Sequence, residues 1–224
     1  MKDIWRVAYA GTAKWLPRSC YSKISRAIRA FFARRILAAC GNHPNIERGA
    51  TFGSLVKLGN SSNIGYMCEL HGEVAIGDYV MMAPRVKIYT VNHRTDDIDT
   101  PMILQGNEPV RPVKIGDDCW IGDSAIILPG VEIGSHSIVG AGAVVTKSCK
   151  PYSVLGGGAS SMCKNEVALN LPCRRSEMKV IHPPIYFHFG AQEWCEYLVP
   201  RQICGALYPF HNLITMPYGV GGVA

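Results

Sequence analysis

Counting in sixes from Ile46, the sequence places Phe52, Leu58, Ile64, Leu70, Ile76, Met82 and Ile88 at successive positions, all large and apolar. The phase breaks, then resumes at Ile115 with Ile121, Ile127, Ile133, Val139 and Val145. The chain is 48% hydrophobic, so an unbroken run of this kind arises by chance roughly once in thirty thousand trials of one frame. Four residues after each anchor stands a small or β-branched residue: Ala50, Val56, Ser62, Cys68, Val74, Val80 and Val86, then Cys119, Ala125, Val131, Ser137 and Ala143. A helix repeats every 3.6 residues and a strand every 2, so neither explains a period of six. A triangular parallel β-helix does, with three short sides per coil and the anchors filling its axis. Each coil then takes about 18 residues and rises about 4.8 Å. Glycine follows many anchors, as at Gly59, Gly65, Gly77, Gly116 and Gly122, and is expected there to turn the corner with positive φ.

Ile88 and Ile115 are 27 positions apart, which is not a multiple of six. The segment from about Tyr89 to Val113 must therefore leave the coil, and loops that interrupt a rigid scaffold are where function concentrates. Ahead of the repeat, residues 21–39 space Ile24, Ile28, Phe32 and Ile36 four apart among Lys23, Arg26, Arg29, Arg34 and Arg35, a basic amphipathic helix. It either caps the open first coil or docks on an anionic membrane surface. After Tyr152 the rhythm fades into an irregular tail. The expected organisation is a helical segment over 1–42, a coil domain over 43–160 with its loop at 89–113, and a tail over 161–224.

The net charge of +6 is local: Lys2, Arg6, Lys14, Arg18 and the five cations of residues 23–35 face only Asp3. They sit on a helix without a nucleic-acid reader motif, so no nucleic acid is expected as partner. Nine scattered cysteines, without a C-x-x-C pair, read as reduced thiols in a cytoplasmic protein. Neither a membrane-spanning run nor a cleavable leader is evident.

The run VKIGDDCWIGDSAIILPGVEIGSHSIVGAGAVVTKSCKPYSVL from Val113, with VNHRTDD in the loop, resembles the hexapeptide-repeat acyltransferases. That family includes galactoside and maltose O-acetyltransferases, and the likeness is greatest to acetyltransferases of capsular and extracellular polysaccharide biosynthesis. The resemblance spans roughly residues 1–165. It implies an all-β, left-handed parallel β-helix, a homotrimer with sites between neighbouring subunits, acetyl-coenzyme A as donor and no metal.

Acyl transfer to a sugar hydroxyl needs a base near the hydroxyl proton, and histidine is the side chain best tuned for it at neutral pH. Of seven histidines, His93 alone lies in the excursion, and it matches the family's catalytic histidine. By resemblance the backbone N–H of Asp123 could stabilise the oxyanion, and Ala141, Thr146 and Lys147 line the coenzyme groove. Lys164 keeps its place in register, although GGGASSMCKNE departs from the family's usual GGNPAKVIKKR. Trp120, at an outward phase, serves as a pocket wall or in subunit packing. Coil arithmetic puts His71 one coil below Tyr89, facing the acceptor or simply solvent. Asn92, Asp96 and Asp97 orient His93, bind the acceptor, or are solvated loop residues. A zinc hydratase on the same coil would need three converging histidines, and His71, His93 and His136 lack the spacing. A non-catalytic scaffold is the other rival.

Overall fold

A computed structural model describes residues 2–157 and 161–163; the remainder of the expected tail, including Lys164, lies outside the described residues. Helices α1 (Lys2–Gly11) and α2 (Lys23–Ile36) come first, followed by two-to-three-residue strands, three to a coil. The first coil holds β1 (Ala39–Cys40), β2 (Asn45–Ile46) and β3 (Thr51–Phe52), and the second β4 (Lys57–Leu58), β5 (Asn63–Ile64) and β6 (Glu69–Leu70). The third holds β7 (Val74–Ile76), β8 (Met81–Met82) and β9 (Lys87–Ile88). After an excursion containing helix α3 (Met102–Gln105) come β10 (Val113–Ile115), β11 (Trp120–Ile121) and β12 (Ile126–Ile127). The fifth coil is β13 (Glu132–Ile133), β14 (Ile138–Val139) and β15 (Val144–Val145), and β16 (Val154–Gly156) and β17 (Ser161–Cys163) follow.

Every third strand stacks in parallel on one side of a triangular prism, as the six-residue period requires. The first side runs β1, β4, β7, β10, β13; the second carries β2 with β5 and then β8, β11, β14, β16; the third runs β3, β6, β9, β12, β15. Stacked partners are 18 residues apart, as Asn45 with Asn63 and Trp120 with Ile138. Across the excursion they are 39 apart, as Val74 with Val113 and Lys87 with Ile126. The difference, 21 residues, leaves and returns without shifting the stack. Past the fifth coil the spacing drops to 16, with Ile133 opposite Cys149 and Ile138 opposite Val154. The rhythm thus ends after Val145, sooner than the sequence suggested: Pro151 stands where the next anchor would fall, and Leu155 fills the axis instead.

All the anchors are buried, and so are the small residues four positions on. The two serines among the small set are satisfied internally; the Ser62 hydroxyl donates to Gly77 O and accepts from Val80 N–H. The glycines after the anchors do not supply the positive φ expected of them. Left-handed backbone falls three residues after the anchor, at Ser61, Met67, Tyr79, Arg85, Asp118, Ser124 and His136. The post-anchor glycines instead let neighbouring coils touch, since a Cβ at Gly65 would lie 2.3 Å from the Ala83 carbonyl oxygen.

Neighbouring coils exchange backbone hydrogen bonds in both directions: Glu47 N donates to Ile64 O and Thr51 N to Cys68 O, while Ser61 N donates back to Asn42 O and Met67 N to Arg48 O. At the open end of the first coil, the two helices supply donors to the carbonyls of Ile46 and Ala50. Arg29, fully buried, gives Nε to Ile46 O (2.6 Å), while its terminal nitrogens reach Leu16 O, Pro17 O and Ser19 Oγ. The Tyr9 hydroxyl donates to Ala50 O at 2.9 Å. The inward face of α2 is consequently Ser25, Arg29, Ala33 and Ile36, with Phe32 half-buried; Ile24 and Ile28 are exposed, contrary to the apolar face read from the sequence. No described helix is long and apolar enough to cross a membrane.

Candidate active site

The excursion departs where the third side turns into the first. Thr90 is its root: the buried hydroxyl donates to His71 O at 2.9 Å, and Gly72, at φ +81°, leaves the room for it. The chain returns at Arg111, whose N–H donates to Thr90 O and whose carbonyl accepts from Gly130 N. Between these points the loop is a hairpin. Arg94 N donates to Gly106 O, Glu108 N to Asn92 O, and His93 bridges Asn107 in antiparallel fashion. At the tip Gln105 ties the turn, its Nε2 donating to Asp97 O and Thr100 O while Oε1 accepts from Asp97 N. The Thr100 hydroxyl bonded to Asp97 and the Arg94 guanidinium bonded to Asp96 hold both carboxyls below their ordinary range.

His93 is thus set in a hydrogen-bonded hairpin with its imidazole exposed and making no hydrogen bond among the described residues. Asn92 is exposed beside it, and Asp96 is engaged by Arg94 rather than by the histidine. His71 stacks on Tyr89, ring centres 5.3 Å apart and ring planes nearly parallel, at the base of the hairpin, where coil arithmetic put it; Glu69 lies 3.4 Å from its Nε2. Thr146 and Lys147 follow β15 at the same corner, two coils above, and both are exposed.

Asp123 and Ala141 occupy another corner, between the second and third sides, where Gly142 N donates to Asp123 O. Arg85 clamps the Asp123 carboxylate with contacts of 2.6 and 2.7 Å; separately, the Asp123 backbone N–H has no acceptor among the described residues. Trp120, 47% exposed, projects from the second side between Met81 and Ile138. That side lies opposite the corner that carries His93. One chain therefore does not gather all the residues singled out from the sequence: His71, His93, Thr146 and Lys147 share one corner, while Asp123 and Ala141 share the next.

The sequence reading missed Thr90, the Arg85 clamp and a third cluster, in which His136 stacks on Tyr152 at 4.8 Å and meets Asp118 Oδ2 at 3.1 Å. Arg85 was findable, because Arg85 and Ser124 are one coil apart once the 39-residue offset is known. Among the described residues no three histidine, cysteine or carboxylate side chains gather as a metal site would require.

Residues 112–147 match the bacterial transferase hexapeptide (six repeats) family. A solved maltose O-acetyltransferase from Clostridium difficile is 37% identical over 58% of this chain and 70% of its own, with a TM-score of 0.52. The chain belongs to the hexapeptide-repeat acetyltransferases. The galactoside O-acetyltransferase of Escherichia coli is 29% identical over 65% of this chain. A galactoside acetyltransferase solved with coenzyme A, also 29% identical, superposes with a TM-score of 0.53 over 58% of this chain and 65% of that one. The chain spans 56–66% of the length of the first three curated relatives of this acetyltransferase family that it matches.

Proposed function

We propose that the protein is a cytoplasmic O-acetyltransferase that moves an acetyl group from acetyl-coenzyme A to a sugar hydroxyl in surface-polysaccharide biosynthesis. It works as a homotrimer with sites between subunits. The carrying observation is His93, an exposed imidazole on a tied hairpin at the 21-residue excursion between the third and fourth coils. The relatives named for galactoside and maltose acetylation, one of them solved with coenzyme A, supply the donor and the acceptor class. The separation of His93 from Asp123 and Ala141 onto different corners supports a site shared by two subunits, since a second chain laid alongside can bring one corner against the other.

In this mechanism His93 takes the hydroxyl proton as the sugar oxygen attacks the thioester carbonyl carbon. Negative charge on the tetrahedral intermediate is met by the unused Asp123 N–H. Collapse breaks the C–S bond, the imidazolium returns its proton to the sulfur, and acetyl sugar and coenzyme A leave. Release of free thiol over a panel of galactosides, glucosides and oligosaccharides tests this. His93→Ala is expected to lower kcat by about 10²–10⁴-fold with little change in coenzyme binding. Equal turnover in the two proteins would overturn the mechanism.

A further inference from the structure

The helices that close the first coil turn a surface outward unlike the rest of the chain. On α2, Ile24 (74% exposed), Ile28 and Phe31 follow at helical spacing and form one stripe. The Arg35 guanidinium sits 3.5 Å from the Phe31 ring centre. Lys23, Arg26 and Arg34 are exposed on the adjoining face, and among the described residues none of the three has a carboxylate within ion-pair distance. The only acid before Glu47 is Asp3, which Arg6 engages. On α1, Ile4 and Val7 are exposed as well. The buried donors Arg29 and Tyr9 fix which way the helices face, because both point into the coil.

Large apolar side chains beside uncompensated cations, directed away from the coil, suit a ligand that is anionic at its surface and apolar just beneath. We infer that the outer face of α2 docks on an anionic lipid bilayer. The helix lies in the headgroup layer, Ile24, Ile28 and Phe31 reach the acyl boundary, and Lys23, Arg26 and Arg34 contact lipid phosphates. The stripe supplies insertion and the cations supply lipid selectivity, so each alone gives weak binding.

The test is co-sedimentation of the full chain with phosphatidylcholine vesicles, with and without phosphatidylglycerol. Binding is expected only when the anionic lipid is present, and raised salt should weaken it. Ile24→Ser/Ile28→Ser and Lys23→Gln/Arg26→Gln should each lower the partition about tenfold or more. Both pairs are exposed, so thermal unfolding should stay within about 2 °C of the parent and exclude misfolding as the cause. Failure of the parent to bind anionic vesicles, or equal binding by parent and variants, overturns the proposal. So does a smaller oligomer in the isoleucine variant without vesicle binding by the parent, which would assign the stripe to a second copy of the chain. Vesicle binding needs no turnover, so this result and that of the sugar panel stand or fall separately.

Discussion

Arg29 shows how a single residue can be hidden from a pattern-based reading. Ile24, Ile28, Phe32 and Ile36 have the spacing of a buried face, yet the helix is rotated so that an arginine enters and two isoleucines stay out. The end of a β-coil offers carbonyl oxygens rather than hydrocarbon, and a guanidinium with its fork of donors satisfies several at once. Arg29→Met is therefore expected to cost about 3 kcal/mol, the penalty of leaving buried acceptors unpaired, measurable by urea unfolding. Arg29→Lys should recover only part of it, since an ammonium cannot span the same acceptors. A second expectation at this scale concerns Cys68, whose thiol is pushed up to about 12 by burial against an ordinary value of 9.0. A thiol of raised pKa stabilises the fold fully below about pH 9, and that contribution is lost as pH climbs towards 12, because only the unfolded chain ionises early. Unfolding midpoints should accordingly fall through that window in the parent and less in Cys68→Ala. With a maleimide reagent at neutral pH, exposed Cys20 should label quickly and Cys68 only after unfolding.

Among the elements, the strands were legible and the corners were not. Each anchor touches only the axis of its own and neighbouring coils, so the six-residue period survives in sequence without interference. The corners place left-handed backbone on serine, methionine, tyrosine, arginine, aspartate and histidine, residue types that carry no common mark. The glycines directly after the anchors are visible in the sequence, but their purpose is close approach between coils, while Gly49, Gly130 and Gly142 share the left-handed corner position with those other types. Gly65→Ala should therefore be destabilising by about 1–3 kcal/mol, the range of overpacking, with the Cβ forced against Met82 and Ala83 carbonyls. Gly53→Ala, where a Cβ meets nothing within 4 Å, should be close to neutral, and thermal melts of the pair would separate packing from backbone freedom. In the hairpin, His93 could be picked out by its place in the phase break, whereas Gln105 could not, because the bonds that make it matter join loop residues without periodicity. Gln105→Ala should speed amide exchange at Asp97, whose N–H donates to the Gln105 side chain, and lower turnover without altering the melting of the coils.

At the scale of the molecule, the prism explains why a list of site residues from the sequence had no visible meeting place. Positions 93 and 123 lie at different corners of the triangle, and nothing in a linear pattern states which corner a second chain would cover. If the site is shared, His93→Ala and Ala141→Trp chains, each inactive alone, should regain about a quarter of full activity when co-assembled at random, as expected for a site needing one intact corner from each of two neighbours. No recovery would indicate sites contained within one chain. The preserved stacking across the 39-residue offset has a separate consequence. Removing Val91–Arg111 brings Ile115 to six positions after Ile88, and Pro112→Gly would supply a turn like that of Gly130 one coil on. Closing so large a loop costs only on the order of a kilocalorie or two, so the shortened chain should fold as a continuous solenoid that has lost His93, the base of the proposed mechanism. The hairpin is in this sense a removable cassette: mutation can rewrite its length and chemistry while the solenoid beneath keeps folding, which under the proposed mechanism lets catalysis and acceptor choice diversify faster than the scaffold that carries them.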